Sequence, residues 1–205
     1  MPKNHLKKFV SAPCFTPIQL NTQLNKLCVD IDEAQDSASL KKLTITDMLE
    51  QDVCFTFDIG GGDLAQYSAC LNTGIQEGHK LKFNKRCDFI IVRIFGGNTY
   101  VYFGDLKSTS LRKQSIFRQM YASKLFFDYI KSIIEWEFPE FTALQNYIPK
   151  YVCCHDSRAR LPRTPIRGTS QVRNNWQPED SVHFCPVQVN AVTNSATINF
   201  DKLSR

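Results

Sequence analysis

Asp88, Asp105 and Lys107 are the residues of this 205-residue chain whose types and spacing could act together on a substrate. Asp105 and Lys107 are two apart, so in an extended strand they project from one face. Asp88 opens an apolar run, Cys87 to Phe95, which ends at Gly96-Gly97-Asn98 and is followed by a second run, Thr99 to Lys107, rich in Tyr, Val and Phe. Two such runs around a glycine turn predict a β-hairpin, which brings the start of one strand to the end of the other. A turn at Gly96-Gly97 sets Asp88 opposite Asp105, and a turn at Gly97-Asn98 sets it opposite Lys107. Either puts all three side chains on one face, whereas a three-residue turn sends Asp88 to the other. Two neighbouring carboxylates repel and favour a shared hard cation such as Mg²⁺, to which the Leu106 carbonyl can add a third oxygen. A lysine beside that cation can orient water or neutralise charge developing on a phosphate. The competing reading is a surface salt-bridge trio at a strand end.

The elements that must position this trio follow from periodicity. Ser108 to Ser110 offer N-caps for a long helix to about Trp136, with Ile116, Met120, Phe127, Ile130 and Ile134 on its apolar face and Pro139 ending it. Strands are expected at Val53–Ile59, Tyr147–Cys154, Val182–Val189 and Ala196–Phe200, and a weakly periodic helix at Asp32–Glu50. Gly60-Gly61-Gly62 reads as a turn, with Asp63 capping a short helix. Together these predict an α/β fold with a central mixed β-sheet flanked by helices. We expect a single domain over residues 1–205, with a core of about 50–200, an N-terminal extension at 1–50 and a basic loop at 156–176.

Composition narrows the class. The 42% hydrophobic and 22% charged fractions are those of an ordinary globular protein. No apolar run approaches the ~20 residues that cross a bilayer, so no membrane association is expected. The basic stretch Met1–Leu20 has no apolar core of the secretory kind. Eight scattered cysteines with no CxxC spacing therefore read as reduced thiols of a cytoplasmic protein. A zinc site would require Cys153, His155, His183 and Cys185 to converge, but adjacent Cys153 and Cys154 point to opposite faces of a strand. Between Lys150 and Trp176, Lys150, Arg158, Arg160, Arg163, Arg167 and Arg173 face only Asp156, an excess as large as the +5 of the whole chain. Such a concentration favours a phosphate-rich partner.

The segments Lys85-Arg86-Cys87-Asp88-Phe89-Ile90-Ile91 and Tyr102-Phe103-Gly104-Asp105-Leu106-Lys107-Ser108, with the hairpin between them, resemble the motif of PD-(D/E)XK nucleases. In that superfamily an Asp opens one strand, an acidic-x-Lys triplet closes the next, and the following helix often carries a Gln. Phe117-Arg118-Gln119-Met120 is similar to the last of these. The resemblance covers roughly residues 80 to 135. It implies a restriction-endonuclease-like core and cleavage of nucleic acid, DNA in preference to RNA, with Mg²⁺ or Mn²⁺. Asp88, Asp105 and the Leu106 carbonyl would be metal ligands, Lys107 the catalytic lysine and Gln119 an auxiliary catalytic group.

Arg112, Lys113 and Arg118 on the helix, with Arg158, Arg160, Arg163 and Arg167 in the basic loop, would then grip the nucleic-acid backbone. Phage defence or restriction is the setting that the resemblance implies, with a homodimer or a partner subunit of a defence system as partner. Two departures stand out. Cys87 replaces the eponymous Pro, and the acid often supplied by the first helix has no clear equivalent, with Glu50, Asp63 and Glu77 as candidates. Without a further acid the resemblance also allows a degenerate subunit that binds nucleic acid or a protein without cutting.

Overall fold

In the computed structural model, residues 2–33, 38–57, 75–76, 79–80, 86–108, 111–159 and 181–204 are described. The long helix and a smaller sheet cover opposite faces of a six-stranded sheet. The elements in chain order are α1 (Pro2–Phe9), β1 (Phe15–Thr16), β2 (Gln19–Asn21), β3 (Lys26–Asp32), β4 (Lys42–Thr46), β5 (Val53–Phe55), β6 (Ile75–Gln76), β7 (His79–Lys80), β8 (Phe89–Phe95), β9 (Asn98–Lys107), α2 (Lys113–Glu137), β10 (Ile148–Asp156), β11 (Val182–Val187) and β12 (Ser195–Asn199). The large sheet runs β1-β5-β8-β9-β10-β11, the smaller one β12-β4-β3-β2, and β6 and β7 pair by themselves. Both larger sheets are mixed. β9, β10 and β11 are parallel, as are β12 and β4, while the other pairings within these two sheets are antiparallel. The chain is therefore α/β with mixed sheets. No helix among the described residues is long and apolar enough to cross a membrane.

Alternation along the central strands divides the apolar side chains between two cores. Ile90, Val92, Val101, Phe103 and Cys153 face α2, where they meet Ile116, Met120, Phe127, Ile130 and Ile134. Phe89, Ile91, Tyr102, Leu106, Val152 and Cys154 face the smaller sheet and meet Val29, Ile31, Leu43, Ile45 and Ile198. Strands apolar on both faces are those of a covered central sheet, which is why β8 reads as a nearly continuous apolar run.

Two expectations need correction, and the zinc alternative does not assemble. The described residues of Asp32–Glu50 are not helical. Leu40 and Leu43 imitate helical spacing, but Leu43 and Ile45 alternate with β-branched Thr44 and Thr46, and this pattern builds β4 against β3. The outward residues pair across these strands, Thr44 Oγ1 donating to Asp30 at 2.6 Å and Lys42 lying 2.7 Å from the same carboxylate. The long helix begins later than Ser108–Ser110, at Lys113, with Arg112 at the N-cap position and no side-chain cap. Ser108 Oγ instead accepts from the Leu40 N–H at 3.1 Å, tying the end of β9 to the segment before β4. The zinc ligands do not converge. Cys153 and His155 lie on the helix side, Cys185 lies in the core between the sheets, and His183 Nε2 is 2.9 Å from the Lys202 carbonyl.

A buried ion pair locks the two-sheet layer. The Arg93 guanidinium meets both oxygens of fully buried Asp52, donates to the Asp47 carbonyl at 3.1 Å and stacks 3.3 Å from the centre of the Phe200 ring. One side chain of β8 thus holds the β4–β5 connection and the segment after β12.

Candidate active site

The hairpin uses the first of the registers open to it, with the turn at Gly96-Gly97. Gly96 and Gly97, with φ of +58° and +79°, form a two-residue turn, and Phe95 pairs with Asn98. Both turn positions need positive φ, which only glycine adopts without strain. The ladder runs to Phe89 opposite Gly104, so one step further sets Asp88 opposite Asp105. Counting back from the hydrogen-bonded closing pair, this is a non-hydrogen-bonded position, where facing side chains come closest. The Phe89 ring lies directly over Gly104, so close that a Cβ there would sit 1.9 Å from Cζ.

Hydrogen bonds fix each member of the trio. Asp88 Oδ2 accepts from the Leu106 N–H at 2.5 Å. A strand residue directs its N–H and C=O to the same edge, so the Leu106 carbonyl also faces the Asp88 side. Asp105 is fully buried, with Lys107 Nζ 2.6 Å from Oδ2 and Gln119 Nε2 donating to Oδ1 at 2.9 Å. Gln119 also donates to the Arg86 carbonyl at 2.6 Å, so α2 braces both β9 and the entry to β8. The four residues Asp88, Asp105, Lys107 and Gln119 are thus brought together at one end of the sheet, beneath the first turns of α2.

The electrostatics are those of crowded carboxylates. Burial and the adjacent Asp105 push the Asp88 carboxyl well above its ordinary range, against the opposing pull of Lys107 and the Leu106 N–H. Burial works against the Lys107 ammonium, but Asp105 and Asp88 outweigh it and raise its pKa, so Lys107 stays charged. Two thiols border the cluster. Cys87 precedes Asp88 and Cys153 stands opposite Asp105, and burial, reinforced by Asp105, raises both thiols above their usual range.

Sequence reasoning missed two parts of this site. Ser123 fills the gap between Met120 and Phe127 in the apolar face of α2. Its fully buried hydroxyl accepts from the Cys87 N–H at 2.8 Å, fixing the backbone just before Asp88. The break in periodicity was the signal. His155, on β10, stands opposite Lys107.

The expected cations are distributed unevenly. Arg112, Lys113 and Arg118 are exposed near the start of α2, with Lys113 Nζ 5.8 Å from the Phe184 ring centre. Lys124 and Lys131 are engaged with Asp128 and Glu135 one turn along. Arg158 clasps Asp156, with Nη2 2.7 Å from Oδ2, and pulls that carboxyl down to about 2. Arg160, Arg163 and Arg167 lie outside the described residues, as do Gly60–Gly62, Asp63 and Glu77. Glu50 is exposed in the turn after β4. Among the described residues no three His, Cys, Asp or Glu side chains gather as a metal cage. No protein-family model, curated protein or solved structure matches the chain.

Proposed function

We propose that this chain is a metal-dependent nuclease of the PD-(D/E)XK type, built on a restriction-endonuclease-like core and hydrolysing phosphodiester bonds, in DNA in preference to RNA. The observation that carries the reading is the meeting of Asp88, Asp105 and Lys107 on one face, with Gln119 donating to Asp105. The donor set fits a hard divalent cation, because Asp105 raises the proton affinity of the Asp88 carboxylate and both stand beside a main-chain carbonyl. Asp88, Asp105 and the Leu106 carbonyl would hold Mg²⁺ or Mn²⁺. When bound, that cation supplies Lewis-acid polarisation of the phosphate and a more acidic water. Lys107, held as an ammonium, neutralises charge developing on the phosphate oxygens. Gln119 keeps Asp105 in its rotamer, and Arg112, Lys113 and Arg118 receive the flanking backbone. A cytoplasmic role in phage defence or restriction, through a homodimer or a partner subunit, belongs to the same proposal.

The test is nicking of supercoiled plasmid with Mn²⁺ or Mg²⁺. Asp105→Ala and Lys107→Ala should each abolish it while far-ultraviolet circular dichroism stays unchanged. Undiminished cleavage by both variants would sink the assignment. A second reading, a non-cleaving relative that binds nucleic acid or a protein partner, is favoured by one observation: the described residues supply two carboxylates to the cluster and no third. Calorimetry with Mn²⁺ separates the two, since that reading expects no binding that depends on Asp88 and Asp105.

A further inference from the structure

We propose that His155 is the proton acceptor for the attacking water, an inference that rests on the nuclease reading. β10 lies parallel to β9, with Cys153 opposite Asp105 and His155 opposite Lys107. Cys153 belongs to the helix-side core, so His155, two residues on, projects to the face that carries Asp105 and Lys107. In-register neighbours on adjacent strands are about 4.8 Å apart. The imidazole therefore stands next to the lysine, one side chain along the same face from the row formed by Asp88, Asp105 and Cys153.

The ring is held in one tautomer. His155 is only 4% exposed, its Nδ1 is 3.0 Å from the Asp156 carbonyl oxygen, and Phe184 packs on it edge-on with centroids 6.3 Å apart. A carbonyl oxygen can only accept, so Nδ1 carries a proton, and in the neutral ring Nε2 keeps its lone pair. Among the described residues Nε2 has no hydrogen-bond partner. A buried imidazole with a fixed tautomer and an unengaged lone pair at the edge of a carboxylate–lysine cluster has the form of a general base.

The other groups at the site are committed elsewhere. Lys107 is an ammonium 2.6 Å from Asp105 and has no lone pair to offer. Asp88 and Asp105 would be the cation's donors, and the Cys153 thiol stays protonated. In the step proposed, the water oxygen forms a bond to phosphorus as its O–H bond breaks, and the proton passes to Nε2. The P–O bond to the leaving oxygen breaks, the leaving oxygen takes a proton from solvent, and the imidazolium returns its proton to solvent. No electron is gained or lost.

The test uses the full chain, supercoiled plasmid and Mn²⁺. His155→Gln and His155→Ala should each lose about 100-fold or more in single-turnover nicking, with calorimetric Mn²⁺ affinity unchanged, and added imidazole should restore part of the rate to His155→Ala. Long-range ¹H–¹⁵N correlation on the wild-type protein should show Nδ1 protonated and Nε2 bare. A His155→Gln variant within tenfold of an active wild type, a folded His155→Ala variant that imidazole does not rescue, or the opposite tautomer would overturn the proposal. A wild-type protein that does not nick at all overturns the nuclease reading and this inference with it.

Discussion

Replacing Gly104 by Ala is expected to damage the fold and the site together, through a single contact. A Cβ at Gly104 would lie 1.9 to 2.3 Å from three atoms of the Phe89 ring, whereas carbon atoms rest at about 3.5–4.0 Å. The ring must retreat by roughly 1.5 Å, and Phe89 is fully buried between the sheets. Overpacking of this kind costs about 1–3 kcal/mol, and the size of the overlap puts Gly104→Ala in the upper half of that range. Phe89→Leu alone removes three buried carbons and should cost about 2 kcal/mol. In the double variant the new methyl group occupies space that the ring vacates, so the two losses should fall short of their sum by about 1 kcal/mol or more. Urea denaturation followed by circular dichroism measures all four stabilities, given a constant slope. Additivity within about 0.5 kcal/mol would refute the reasoning. Because Phe89 follows Asp88 and Gly104 precedes Asp105, Gly104→Ala should also lower any metal-dependent cleavage, with partial recovery in the double variant.

Asp88→Asn should stabilise the protein progressively as pH rises. Burial and Asp105 raise the Asp88 carboxyl in the folded state, so its contribution to stability is complete below the ordinary carboxylate pKa and is lost as pH rises through the folded value. The amide escapes that loss, and urea midpoints for variant and wild type should diverge from pH 4 to pH 8; a constant difference refutes the assignment. Arg93→Ala should cost about 3–5 kcal/mol by stranding the Asp52 carboxylate in the core, seen as a lower melting temperature. A change under about 1 kcal/mol would mean that the pair is not desolvated.

What could be read from the residues was local. Asp105 and Lys107 share a face because of a two-residue spacing, and Gly96-Gly97 carries the register that brings Asp88 to them. Gln119 lies one turn and a half into a helix whose apolar stripe was legible. The remainder depends on contacts between distant segments. Ser123 reaches Cys87 across 36 residues and Arg93 reaches Asp52 across 41, and no periodicity records either pairing. β4 was missed because a short alternating run with Leu40 nearby imitates a helix until its partners are known. His155 was weighed as a zinc ligand beside two cysteines, since nothing in the local sequence reveals that β10 lies against β9 in parallel register.

The pairing of β12 with β4 restricts how the chain can be dissected. Thr46 and Ile198 are hydrogen-bonded although 152 residues separate them, a closure whose entropic cost is roughly 4 kcal/mol. β11 and β12, close in sequence, each complete one edge of a different sheet. Removing residues 182–204 would strip an outer strand from both sheets at once, bare β4 and β10 as sticky edges, and take Phe200 off the Arg93 guanidinium. The smallest piece that can be assayed is therefore nearly the whole chain, and its activities must be assigned by single-residue exchange rather than by deletion.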